Sequence, residues 1–156
     1  MQTSRRSIRI KVLQCLYAHE IAKDPIEKVK NDLMGEVKDK ELLDFANRLI
    51  SCVLDDMKLI DETIDDKLKN WEYSKIALVD KIIMRMGVAE MLNFSEIPPK
   101  VTINECIEIS KEFCADSSGK FINGLLDAVL TELTKDDKLN KKGRGLLDLK
   151  KRKNEK

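Results

Sequence analysis

An all-α protein is what this sequence predicts, and three observations predict it. The 156 residues are 42% hydrophobic and 37% charged; they contain only three prolines and six glycines; and their apolar residues recur at threes and fours. Such a chain makes amphipathic helices with solvated outer faces. Six helices in a three-plus-three arrangement are expected, divided near residues 70–74.

The first helix is capped by Thr3 or Ser4 and runs to about Lys23, where Pro25 punctuates the chain. A short helix follows from Ile26 to Met34 and ends near Gly35. Residues 40–68 read as one long helix, because Leu42, Ala46, Leu49, Val53, Met57, Ile60, Ile64 and Leu68 keep helical spacing throughout. Ser74 then caps a helix carrying Leu78, Ile82, Ile83, Met86, Ala89 and Met91, which Pro98 and Pro99 terminate. Thr102 and Glu105 match a capping box at the start of the fifth helix. The sixth begins at Ser117 or Ser118, with Ile122, Leu125, Leu126, Val129, Leu130 and Leu133 as its apolar stripe. Residues 135–156 hold too few apolar side chains to fold alone and are expected to be mobile unless they dock.

Net charge is only +1, which argues against an indiscriminate polyanion binder, yet both ends are basic. Arg5, Arg6, Arg9 and Lys11 precede the first acid, Glu20, and residues 135–156 carry ten basic against four acidic side chains. The four cysteines, Cys15, Cys52, Cys106 and Cys114, lack zinc-knuckle spacing and read as reduced, buried thiols. No signal-peptide core or run of eighteen apolar residues occurs, which predicts a cytoplasmic location and no membrane.

Catalytic candidates are poor. Adjacent acids such as Asp55/Asp56, Asp61/Glu62 and Asp65/Asp66 diverge by about 100° on a helix and suit a solvated face better than a metal site or an acid/base dyad. His19, the only histidine, projects close to Ile8, Val12 and Cys15 and reads as packed beside the core. With no phosphate loop, nucleophile elbow or metal-ligand cluster, the sequence predicts no enzyme, no cofactor and no metal.

Binding candidates are better. Phe121 projects roughly 110° away from the centre of the last helix's stripe, toward Gly124 and Ala128, with Lys120 beside it. A cation, a ring and the amides of a helix's first turn form a plausible ribonucleotide platform; equally, Phe121 packs against the other bundle and Lys120 is merely solvated. On the first helix Arg6 and Tyr17 share a face, with Arg9 beside them. They suit phosphate contact with stacking, or else a basic helix start held by acids of the long third helix.

These residues also carry a family likeness. The opening SRRSIRIKVLQCLYAHE, with Gln14, Leu16 and Tyr17 in a Q-x-L-Y pattern, resembles the NusB transcription antitermination factors. So do PPKVTINE, EISKEF and SGKFINGLLD, with Trp71 ahead of them. The likeness spans Ser4 to Leu133, in pattern more than in residues between Ala22 and Asn70. It implies an N-terminal bundle over residues 1–70, a C-terminal bundle over 71–134, and a basic tail over 135–156. It further implies that the chain joins the small ribosomal protein NusE in recognising single-stranded box A RNA of ribosomal RNA transcripts, within the RNA polymerase antitermination complex.

Carried over by position, Arg5, Arg6, Arg9, Tyr17, Lys120 and Phe121 are the implied RNA contacts, and Asp80 the residue facing NusE. The chain departs from the pattern at Ser117, where relatives carry an acid before the serine, and at Gly119, where a larger polar residue occurs. The same fold serves as an accessory domain of ribosomal RNA cytosine methyltransferases, which need a further domain for which this chain is too short. Reading the basic ends as incidental leaves a purely protein-binding helical regulator as the alternative. Monomer and homodimer are both left open.

Overall fold

The computed structural model describes residues 4–147 and Leu149, and every regular element among them is helical. Helix α1 spans Arg5–Ala22. Ser4 caps it by accepting from the Ser7 amide, and the Ser7 hydroxyl returns a bond to Ser4. It stops at Lys23, whose left-handed backbone (φ 60°) closes onto the His19 carbonyl. Thr3, the other expected cap, lies outside the described residues. Helix α2 covers Ile26–Met34, as its pattern predicts.

The expected long helix is two. Helix α3 spans Lys40–Asp55 and α4 spans Met57–Asp65, broken at Asp56 (φ −105°, ψ 17°). The hydrogen-bond ladder continues across the break, from the Asp56 amide to Cys52 and from the Ile60 amide to Asp56, so the chain bends without looping out. The bend has a packing reason: α3 lies against α1 and α5, whereas α4 is redirected onto α5 and α7.

Helix α5, Leu78–Asn93, is the central rod and touches α1, α3, α4, α6 and α7. Every residue from Ile82 to Met91 is buried, so it is apolar nearly all round, and burying each large side chain stabilises by about 1.5–3 kcal/mol. Ser74 is not its cap, contrary to the sequence pattern. Ser74 sits in a short 3₁₀ turn, Tyr73–Lys75, and α5 begins only at Leu78.

Helix α6 runs Pro99–Phe113 with proline in its first turn, where the missing amide costs no helical bond. The predicted capping box is therefore displaced. Thr102 and Glu105 lie a turn inside the helix and reach long-range partners instead: Thr102 Oγ1 donates to Glu90 Oε1 (2.9 Å), and Glu105 binds Arg6. Helix α7, Ser118–Lys135, closes the C-terminal group.

Beyond α7 the tail docks, at least to Leu147. Leu139 packs on the core, a 3₁₀ turn forms over Gly143–Leu146, and Lys141 is only 7% exposed. Its Nζ donates to the carbonyls of Phe94 (2.6 Å) and Glu90 (3.5 Å), covering the open C-terminal end of α5. The Lys142 amide bonds the Ser95 carbonyl at 3.0 Å. Gly145 passes so close that an added Cβ would fall 2.0 Å from that same oxygen, so only glycine fits.

Candidate nucleic-acid interface

Helix α1 buries Ile8, Val12, Leu13, Cys15 and Leu16, which leaves Arg5, Arg6 and Tyr17 outside. Arg6 is half exposed and forks onto Glu105 of α6, Nε to Oε2 at 2.8 Å and Nη2 to Oε1 at 2.9 Å. That hydrogen bond raises the Arg6 pKa and lowers that of Glu105. Arg5 lies over the Phe45 ring, 5.1 Å from its centroid. Tyr17 is 43% exposed and lines a hollow of about 600 Å³ with Leu13, Gln14, Ala77, Leu78 and Phe113.

Arg9 does not join this surface. It is 3% exposed and its guanidinium grips Glu90 of α5 with two bonds, Nη2 to Oε1 (2.5 Å) and Nε to Oε2 (3.1 Å). Helical spacing alone places it beside Arg6, but α5 presents Glu90 opposite and draws it inward. The acids that hold the basic helix start are thus Glu105 on α6 and Glu90 on α5, not acids of α3 or α4.

At the start of α7 Lys120 is exposed and Phe121 half-buried, as the wheel predicts. What covers one side of Phe121 is Trp71, edge to face at 5.6 Å between centroids. One hollow, of about 430 Å³, is lined by Trp71, Lys75, Ala77, Ser117, Lys120 and Phe121. Ala77 also lines the Tyr17 hollow, so the α1 surface and the α7 surface meet over the N-terminal end of α5.

Asp80 is buried at the floor of the Lys120 hollow, where Ser118 Oγ donates to its Oδ2 at 2.8 Å. A carboxylate under the first turn of α7 complements the helix dipole, so part of what an incoming phosphate would supply is already present. Gly119 fits tightly beside α6: an added Cβ would lie 3.3 Å from Ser110 Oγ.

Away from this face a polar chain ties the halves together. Tyr73 OH donates to Asp61 Oδ1 (2.6 Å), Arg85 forks onto Asp61, and Arg85 Nη1 reaches Glu20 (3.1 Å). Burial and the bond to Asp61 push the Tyr73 phenol up, so it remains a donor. His19 Nδ1 is bonded to the Asp24 carbonyl at 2.7 Å. All four cysteines are free thiols, with burial pushing Cys15 up to about 11 and Cys114 up to about 12. Among the described residues no group of three or more His, Cys, Asp or Glu is placed to hold a metal, and no helix is long and apolar enough to cross a membrane.

Residues 6–131 match the model of the NusB family. The transcription antitermination protein NusB of Chloroherpeton thalassium is 43% identical over 151 residues, covering 96% of this chain and 72% of that one. Among solved structures, the NusB of T. maritima aligns with a TM-score of 0.79 at 34% identity, over 85% of this chain and 94% of that one. A chain from a complex of the antitermination factors NusB and NusE with dsRNA shares the fold, with a TM-score of 0.75 at 21% identity over 82% of this chain and 96% of that one.

Proposed function

The chain belongs to the NusB family, and we propose on that footing that it is a transcription antitermination factor that holds single-stranded box A RNA of ribosomal RNA transcripts jointly with NusE. One observation supports the RNA reading most: the hollow beside Tyr17 and the hollow beside Lys120 and Phe121 adjoin at Ala77, so one short strand can touch both rings, with Arg5 and Arg6 farther along α1. Arg5, Arg6 and Lys120 supply charge for phosphates, and Tyr17 and Phe121 supply faces for unstacked bases.

Arg9 serves this interface from beneath. Locked to Glu90, it fixes the position of α1 against α5 and does not reach for RNA itself. Asp80 likewise holds the first turn of α7 through Ser118, and direct contact with NusE requires a partner side chain to enter its hollow. In this reading the protein acts in the cytoplasm and performs no chemistry of its own, and burial raises the pKa of all four thiols, which disfavours a nucleophilic role.

Fluorescence anisotropy with a labelled box A RNA and a scrambled control tests the reading. Modest affinity for box A, improved by NusE, is expected. Failure of both RNAs to bind, with and without NusE, would sink it.

A further inference from the structure

Trp71 is the one large side chain of this surface that no assignment above uses. It is 63% exposed in the link between α4 and the 3₁₀ turn, and its only ring contact among the described residues is the Phe121 edge. An indole left in water at such exposure gains little from folding, so its burial does not explain its place. The chain beside it is nevertheless anchored. Two residues on, Tyr73 is pinned by its bond to Asp61 and by Lys81, whose Nζ sits 4.9 Å from the ring centroid.

The Phe121/Trp71 pair forms a ridge between two hollows that share Trp71, Lys120 and Phe121. The first opens toward Ala77 and the α1 surface. The second, of about 330 Å³, has Lys67 and Lys69 on its rim and Gly124 and Ala128 in its floor. At Gly124 nothing lies within 4 Å of the place a Cβ would occupy, so that floor is open. Lys67 is paired with Glu132 (2.9 Å), whereas Lys69 and Lys120 form no ion pair among the described residues and flank the ridge with free charge. Cations on both sides of an exposed indole and a half-buried phenyl ring match a polyanion with flat, apolar bases.

We propose that Trp71 is a second stacking platform for single-stranded RNA. The strand passes Phe121, lays its next base on the open indole face, and continues over Gly124 toward Lys69. The inference rests on the RNA reading of Lys120 and Phe121 and extends it from one face of the ridge to the other.

Trp71 is the only tryptophan in the chain, so the intact protein carries its own reporter. A box A oligoribonucleotide is titrated while tryptophan emission and the anisotropy of labelled RNA are recorded in parallel. Expected is a saturable change in emission along the same isotherm as the anisotropy. Trp71→Ala should weaken binding at least about fivefold and Trp71→Phe should restore most of it, both with the melting temperature of the parent. RNA binding with unchanged emission and unweakened Trp71→Ala overturns the platform and leaves the Lys120/Phe121 reading standing. An emission change produced by NusE alone, with none added by RNA, assigns the indole to the protein partner and also overturns it. Loss of all RNA binding in the parent chain defeats both readings.

Discussion

Arg9 and Glu90 face one another across the α1–α5 contact, both buried, joined by two hydrogen bonds, with Thr102 donating a third to the same carboxylate. Neither charge has water to fall back on. Removing one partner strands the other, so Glu90→Ala should cost about 3–5 kcal/mol in urea unfolding. Arg9→Lys is not conservative here, since an ammonium replaces a two-pronged fork. RNA affinity lost in Arg9 variants should follow the fraction unfolded and leave the salt dependence of the folded fraction unchanged.

Arg6 and Glu105 form the opposite case, a pair at the surface with Arg6 half in solvent. Such a pair adds little stability, and Glu105→Gln should move it by no more than about 1 kcal/mol. It should nevertheless raise RNA affinity, because the carboxylate competes with phosphate for the same guanidinium. Anisotropy at low and high salt checks this: the gain should shrink as salt screens the competition.

The docked tail predicts a pH effect. Burial pushes the Lys141 ammonium down to about 8, below its unfolded value of about 10.4, so between these pH values the unfolded chain binds the extra proton. Stability should therefore rise with pH from about 8 to about 10.4, and that rise should vanish when residues 141–156 are deleted. Gly145→Ala, which forces a Cβ onto the Ser95 carbonyl, should cost about 1–3 kcal/mol and mimic the deletion in thermal melts.

Gly124 offers a way to separate stability from binding. It lies inside α7 with open space where a Cβ would go, so Gly124→Ala should stabilise by about 0.5–1 kcal/mol. If the strand uses the floor beside Phe121, the same substitution should weaken box A RNA in anisotropy. A stabilised variant that binds less is the expected pair of results.

How much of this was legible in the sequence depends on whether a feature is local. The stripe of α7 and the outward turn of Phe121 follow from helical spacing and hold in the structure. The break at Asp56 was not legible, because the apolar residues of α3 and α4 keep one rhythm through it and only contact with α5 and α7 turns the second half. Thr102 and Glu105 spell a capping box, yet Pro99 starts the helix a turn earlier and frees both for Glu90 and Arg6. Arg9 and Arg6 are alike in local sequence and differ only in the partner that another helix brings, Glu90 of α5 for Arg9 and Glu105 of α6 for Arg6. Trp71 stands outside any helix, so no periodicity aims it; its being the sole tryptophan and its place ahead of the family-like segments are the signals it leaves, and neither shows that it meets Phe121. The tail docks largely through backbone contacts, Lys141 on two carbonyls and the Lys142 amide on Ser95, with only scattered apolar residues such as Leu139, so it leaves no helical pattern to read.

The central claim is that folded, local contacts grip the RNA at two adjoining surfaces. The most direct test is the affinity for box A RNA measured against salt, for the parent chain and Phe121→Ala. With Arg9 committed to Glu90, Arg5, Arg6 and Lys120 remain at the two surfaces, so the slope of log affinity against log salt should be about −2 on the single-strand estimate of about 0.7 per contact, steepening to about −3 where the strand also reaches Lys69. Phe121→Ala should lower affinity by about 1–3 kcal/mol and leave that slope unchanged, because the ring carries no charge. A slope near zero, together with Phe121→Ala binding as the parent does, would contradict the account.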